Sequence, residues 1–213
     1  MKSRYCSILF VALVSLTSLC LSQSEKRITI EHADSLIGKV INGEEVQELI
    51  GNVRFFQDKV VVTCDHAVQF RQSGNIELLG NVVIVEDSLT MRFPRGMYYR
   101  LEQRAVAYDS VRLDDGRVIL TARYGEYSVE PKKAFFRNHV VATDKESRLT
   151  SDSLTYFRSE QRTIALSNVE IQSYPDNLTI RGGQFLSLKK EQYSRMTIHP
   201  VVIKFDTSTS GDV

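Results

Sequence analysis

Five valines stand 29 residues apart along this chain, at Val53, Val82, Val111, Val140 and Val169, with no insertion between them. An interval kept that strictly marks an internal repeat, one supersecondary unit stacked several times. The rest of the unit keeps the same phase. Small or polar residues precede each valine (Asn52, Asn81, Ser110, His139, Asn168), and two positions after it come Phe55, Ile84, Leu113, the weaker Ala142, and Ile171. Val62, Met91, Leu120, Leu149 and Leu178 form a second apolar column. An aromatic column closes the unit at Tyr98, Tyr127, Tyr156 and Phe185, where the first copy has Gln69.

Each unit reads as two strands and two turns. From Glu48 to Phe56 the side chains alternate, with Leu49, Val53 and Phe55 on one face and Asn52 and Arg54 on the other, the period-2 signature of a strand. A turn follows at Gln57-Asp58-Lys59, and its equivalents from residues 86, 115 and 144 are also polar; Asp115-Gly116 is a hairpin signal. The second strand, Val60 to Phe70, puts Val62 and Cys64 on one face and Thr63 and Asp65 on the other. Ala67, Gly96, Gly125 and Gly183 share one column of this strand, with Leu154 as the exception. Glycine inside strand sequence predicts a bulge or bend at that place in every copy.

Between Arg27 and Phe205 about twelve strand-like segments follow one another, with no helical period. The first is expected over Ile28–Leu36, with a loop after it through Gly43-Glu44-Glu45. The last contains Pro200, which suits an edge, and the polar tail from Thr207 to Val213 is expected to fray. The chain reads as one all-β domain over residues 23–206, built from long bent strands like the walls of a flattened barrel or jelly roll.

Residues 1–22 differ from the rest. Lys2 and Arg4 precede an uncharged, mostly apolar run from Ser7 to Leu21, which matches a secretory signal and is short for a membrane span. Cleavage is expected near Ser22 or Ser24, with an uncleaved anchor as the alternative; Leu19 stands where a lipid-attachment motif wants a small residue before Cys20. Without Lys2 and Arg4 the 27 basic residues become 25, against 26 acidic ones. That balance argues against a nucleic-acid partner. Cys64 is then the only cysteine left, so no internal disulfide can form.

Catalytic signatures are missing: the sequence has no P-loop, G-x-G-x-x-G, G-x-S-x-G or C-x-x-C motif. His32, His66, His139 and His199 are scattered, and the first two fall on the outward phase of a strand, which favours structural roles over metal binding. No cofactor is expected. Cys64 shares a column with Phe93 and Ala122 and reads as a small buried hydrophobe. The tyrosine column reads as a packing ladder, and Lys132-Lys133 and Lys189-Lys190 as solvated turn residues. Whether the valine column lines a dry core or an open ligand path is left undecided by periodicity.

The stretch from Ile30 to Ala67 reads I-E-H-A-D-S-L, then L-I-G-N-V-R-F-F-Q, then T-C-D-H-A, and the next copy repeats L-L-G-N-V-V-I-V-E. In these motifs, and across nearly all of the chain after residue 22, the sequence resembles the OstA/LptA group of lipopolysaccharide-transport proteins; later copies keep the valine but lose Gly-Asn. The resemblance implies a twisted β-jelly roll, open at both ends, in the periplasm of a diderm bacterium, and no enzyme. It implies that lipopolysaccharide is bound through its lipid A acyl chains inside the roll. The contacts would be Val53, Phe55, Val82, Ile84, Val111, Leu113, Val140, Val169 and Ile171, with Met91, Leu120 and Leu149 on the facing strands. Partners would be related jelly rolls of the inner and outer membranes, with head-to-tail self-association. Docking would use the edge strands Arg27–Leu36, with Ile28 and Ile30, and Met196–Phe205, with Ile198 and Val202. Two rival readings stand beside it: a structural β-solenoid binding polysaccharide with outward tyrosines and acids, and a polysaccharide-cleaving β-helix.

Overall fold

The structure, a computed structural model, describes residues 27–204, so the expected signal sequence and polar tail lie outside the described residues. Sixteen strands and one turn of 3-10 helix at Lys189–Glu191 occupy this span. The strands are β1 (Thr29–His32), β2 (Ser35–Ile41), β3 (Glu44–Gln57), β4 (Val60–Phe70), β5 (Ile76–Glu86), β6 (Leu89–Tyr99), β7 (Arg104–Tyr108) and β8 (Val111–Asp114). They continue as β9 (Ile119–Ala122), β10 (Tyr124–Ser128), β11 (Lys133–Thr143), β12 (Ser147–Phe157), β13 (Arg162–Ser173), β14 (Leu178–Leu188), β15 (Tyr193–Thr197) and β16 (Val201–Lys204). Four pairs (β1/β2, β7/β8, β9/β10, β15/β16) are halves of one broken segment, because both members pair with different halves of the same neighbour. Taken so, the described residues form a twelve-segment antiparallel meander, matching the about twelve strand-like segments of the sequence.

Every long segment bends once, and the bend recurs with the 29-residue period. Pairing registers slip between Ile50 and Val53, Leu79 and Val82, Arg137 and Val140, and Leu166 and Val169. At these slips two successive residues take left-handed backbone angles: Gly51-Asn52 (φ 75° and 47°), Gly80-Asn81 (74° and 46°), Asn138-His139 (67° and 60°) and Ser167-Asn168 (63° and 51°). Such a double bulge turns the strand out of its plane. One half of each segment therefore lies in a first layer, the other in a second, and the corners line up as a spine.

Side chains tie three corners. The Asn52, Asn81 and Asn168 amides donate to Asp34, Asp65 and Asp152, at 2.9, 2.8 and 2.8 Å. Glycine is required at two of them for a second reason besides φ. A Cβ on Gly51 would sit 2.2 Å from the Asp34 carboxylate, and one on Gly80 would sit 2.4 Å from that of Asp65. Between the tied corners, Pro94 and Arg123 occupy the aspartate position.

Two expectations need correction. The glycine column of the second strand predicts the bend there, but the left-handed pairs lie on the first strand of each unit. Gly96 and Gly125 instead make room inside the corner: a Cβ on Gly96 would be 2.0 Å from the Val106 carbonyl, and one on Gly125 would be 2.8 Å from Val111. The loop expected after Leu36 is also strand. β2 and β3 form a hairpin around Asn42-Gly43, both left-handed (φ 51° and 84°), the turn chemistry that an Asn-Gly dipeptide specifies.

Inward side chains of both layers make one hydrophobic cluster running from Leu49 to Ile171. Strand alternation sets this: each valine-column residue and its partner two positions on face the interior, while Arg54 and Arg112 between such pairs, and Arg92 between Met91 and Phe93, face water.

Candidate functional site

The twelve residues expected to contact lipid all fall on the inward face of the first layer. Val53, Phe55, Val82, Ile84, Met91, Val111, Leu113, Leu120, Val140 and Val169 are buried almost completely, and Leu149 (6%) and Ile171 (9%) are the least covered. The four expected docking residues lie at opposite ends of the meander. Ile28 and Ile30 pack, partly buried, against the core, whereas Ile198 and Val202 are 58% and 63% exposed. Among the described residues β1 and β2 pair only with β3, and β15 and β16 pair only with β14.

Opposite the spine the layers meet at a mouth, which polar side chains clasp. The Tyr98, Tyr127 and Tyr156 hydroxyls donate to Gln57, Glu86 and Asp115, and each pair is 41 residues apart. Beside this row the Gln103 amide donates to Asp58 at 2.6 Å and the Lys132 ammonium to Asp87 at 3.3 Å, each pair 45 apart. Arg158 reaches Glu86 at 3.5 Å and Ser88 at 2.9 Å, and Lys189 pairs with Asp144. The tyrosine column thus points inward, and Lys132 and Lys189 are ion-paired rather than simply solvated.

Burial governs the titration of these groups. It pushes the Tyr98, Tyr127 and Tyr156 phenols well above their ordinary value. For Asp115 burial acts to raise the pKa. The Val118 and Arg117 backbone N–H groups, the Tyr156 hydroxyl and the Arg117 guanidinium outweigh it and hold the carboxyl below its usual range. Asp144 balances the same way: burial opposes ionisation, while Lys189, the Glu146 N–H and Ser147 prevail. A buried carboxylate is tolerable only with such partners.

Reading each unit alone misses the clasp, because Gln57, Glu86 and Asp115 look like turn residues. The signal is nevertheless in the sequence: a polar column and an aromatic column, each with period 29, held at a constant offset of 41.

The clasp thins around one place. Phe185 takes the tyrosine position, so Lys189 and not a tyrosine hydroxyl meets Asp144, and beside the third pair Gly116 takes the position of Asp58 and Asp87. The packing beneath thins as well. Ala142 replaces Phe55, Ile84 and Leu113, and Ser147 replaces Val60, Leu89 and Val118, while Thr163 follows Ile76, Ala105 and Ala134 in its column. A cleft of about 420 Å³ results, open at the mouth and lined by these residues with Leu149, Tyr156, Ile171 and Phe185. Its volume suits a small ligand or part of a larger one. Arg117, Lys145 and Lys189, with Asp144 and Glu146, form the charged rim.

Other candidate chemistry disperses. Cys64 is buried beside the spine, and burial pushes its thiol up to about 11, so little thiolate forms at neutral pH. His66 points outward and pairs with Glu48 at 2.8 Å, and His32 lies 3.2 Å from Asp34. Among the described residues no group of three or more His, Cys, Asp or Glu could hold a metal ion. No helix among them is long and apolar enough to cross a membrane.

Two bent layers joined along a spine, repeated in 29-residue units around an apolar interior, define a twisted β-jelly roll whose end strands each have an unpaired outer edge among the described residues. The chain belongs to the OstA-like protein family, whose sequence profile matches residues 25–182. Among solved structures it is similar to LptH of Pseudomonas aeruginosa, the LptA-homologous periplasmic component of the conserved lipopolysaccharide transport device. The identity is 13%, the match covers 69% of this chain and 95% of that one, and the TM-score is 0.33. No curated protein matches the chain.

Proposed function

We propose that this protein binds lipopolysaccharide in the periplasm through the acyl chains of lipid A and hands it on toward the outer membrane, within a bridge of related jelly rolls. Its role is carriage, not catalysis. The observation that carries the reading is the unbroken apolar interior from Val53 to Ile171, closed along one side by side-chain hydrogen bonds instead of a strand ladder. Strand pairing fixes the spine, whereas a side-chain clasp can exchange its partners for water or for a ligand's polar groups. Each acyl methylene moved from water into such an interior gains about 0.8 kcal/mol, so several chains supply a large driving force while the sugars stay in water at the mouth.

Assembly fits the same reading. The unpaired β2 edge exposes Leu36, Ile37 and Val40, and the opposite end exposes Ile198, Val201 and Val202. Open strand edges are a hazard unless a partner strand covers them, and head-to-tail docking of jelly rolls would do so. The sugar-binding alternative loses its ladder, because the column tyrosines face inward. Of the outward aromatics, Tyr99, Tyr108, Tyr124 and Phe157 are each already covered by an Arg.

A photo-crosslinking residue at position 149, inward at the cleft, and another at the outward position 150 test the proposal in cells that make lipopolysaccharide. Capture of lipopolysaccharide from 149 and not from 150 is the expected result. Capture from neither site, with the protein folded, contradicts the role.

A further inference from the structure

The interior is not equally accessible along its length. In the first three units Gln57–Tyr98, Glu86–Tyr127 and Asp115–Tyr156 bar the mouth, and the residues behind the bars are closely packed. Around the cleft three departures from the repeat coincide. Phe185 cannot complete the fourth bar, Gly116 offers no outer contact beside the third, and Ala142 and Ser147 withdraw volume from the interior between them. A loss of packing alone would leave a sealed void, and a loss of the bar alone would expose a filled core. Together they make a cleft that opens to water and continues inward to Leu149 and Ile171.

We propose that this cleft is a side port, the place where a single straight acyl chain enters the roll from the mouth. The inference rests on the interior being an acyl-chain path, and it assigns the entry point that the path uses. The occupant follows from the walls. Ala142, Leu149, Ile171 and Phe185 offer apolar contact, Ser147 and Thr163 present only short side chains, and every charged group stands at the rim. An amphiphile with a narrow tail and a hydrated head meets both demands. The rim holds both signs, with Lys189 paired to Asp144 and Arg117 paired to Asp115, so it selects for a hydrated head without demanding one charge. Deeper entry requires the Tyr156–Asp115 bar to part, and that bar is therefore the first to open as chains advance toward Val111.

The test is titration calorimetry of the exported chain with palmitoyl lysophosphatidylglycerol below its micellar concentration. The wild-type protein is expected to bind one equivalent saturably. Ala142→Phe restores the side chain that the first unit carries at Phe55 and is expected to weaken binding at least about tenfold. Ser147→Leu, which copies Leu89 of the second unit, does the same from the other wall and decides the matter if Ala142→Phe does not fold. Phe185→Tyr, which offers Asp144 the missing bar, weakens binding as well. No saturable binding by the wild type, or unchanged affinity in a folded filled variant, overturns the port. The outcomes separate from those of the carriage role. Lipopolysaccharide captured at position 149 without lysolipid binding sinks the port alone, and lysolipid binding without lipopolysaccharide capture sinks the cargo assignment alone.

Discussion

The second unit and the fourth share a backbone plan and differ in what fills it. Both start from a left-handed corner, Gly80-Asn81 in one and Asn138-His139 in the other, and the corner that closes the fourth, Ser167-Asn168, is tied by an aspartate–asparagine bond as Gly80-Asn81 is. Yet Ile84, Leu89 and Tyr127 seal the interior around the former, where Ala142, Ser147 and Phe185 leave a cleft around the latter. The frame of the repeat and its content are thus set by separate residues. Corner and ladder positions decide where the layers run, and inward columns decide whether the space between them is closed.

Breaking the packed region has the largest expected effect. Phe55→Ala removes a fully buried ring that meets Tyr98 edge-on, with centroids 6.1 Å apart, and should cost about 3–5 kcal/mol in urea unfolding. Leu149→Ala, beside the cleft, should cost about 2 kcal/mol, at the low end for a buried leucine, because its neighbours already border open space. Equal losses at the two sites would erase the proposed difference in packing.

The corners come next. Gly80→Ala forces a left-handed alanine whose Cβ meets the Asp65 carboxylate, for a loss of about 2 kcal/mol or more, measured by the same unfolding series. Asn138→Ala, at a corner where Arg123 replaces the aspartate, lacks that collision and should lose only about 1 kcal/mol.

Smaller effects belong to the clasp. Tyr98→Phe leaves the buried Gln57 without that donor and should cost about 1–2 kcal/mol, while Phe185→Tyr should alter stability by less than about 0.5 kcal/mol. The clasp also predicts pH dependence at both extremes. Folded-state phenol pKa values raised above the ordinary 10.0 mean stability that is complete below pH 10 and lost as pH rises through the folded values. Asp115 and Asp144 are depressed below 3.8, so their contribution is complete above that value and lost as pH falls through the folded pKa. Unfolding midpoints followed across pH should therefore decline at both ends. The alkaline decline should be shallower in Tyr98→Phe.

Most of the frame is legible in the sequence, because period 29 and period 2 both leave marks that need no partner information. Val53 and its equivalents announce the inward face, and β4 begins and ends where alternation places it, at Val60 and Phe70. The bend itself is legible, but the glycine column points to the wrong strand for its cause. Glycine signals unusual backbone and close approach alike, and only the structure separates Gly80, which needs its φ, from Gly96, which needs its space. The mouth clasp is harder to see because its partners are 41 residues apart and lie in different layers. The cleft is foreshadowed only by the weak Ala142. Its meaning depends on Ser147 lying two residues from Leu149, the cross-strand partner of Ala142, and on Thr163 lining the same cleft from the other layer.

The most direct measurement is methyl NMR of the exported chain during titration with lipopolysaccharide. The prediction is that Ala142, Leu149 and Ile171 shift first, that Val111 follows, and that Val53 and Val62 respond last. Shifts confined to outward residues such as Thr150 and Val141, with the interior methyl groups unmoved, would contradict an acyl-chain path inside the roll.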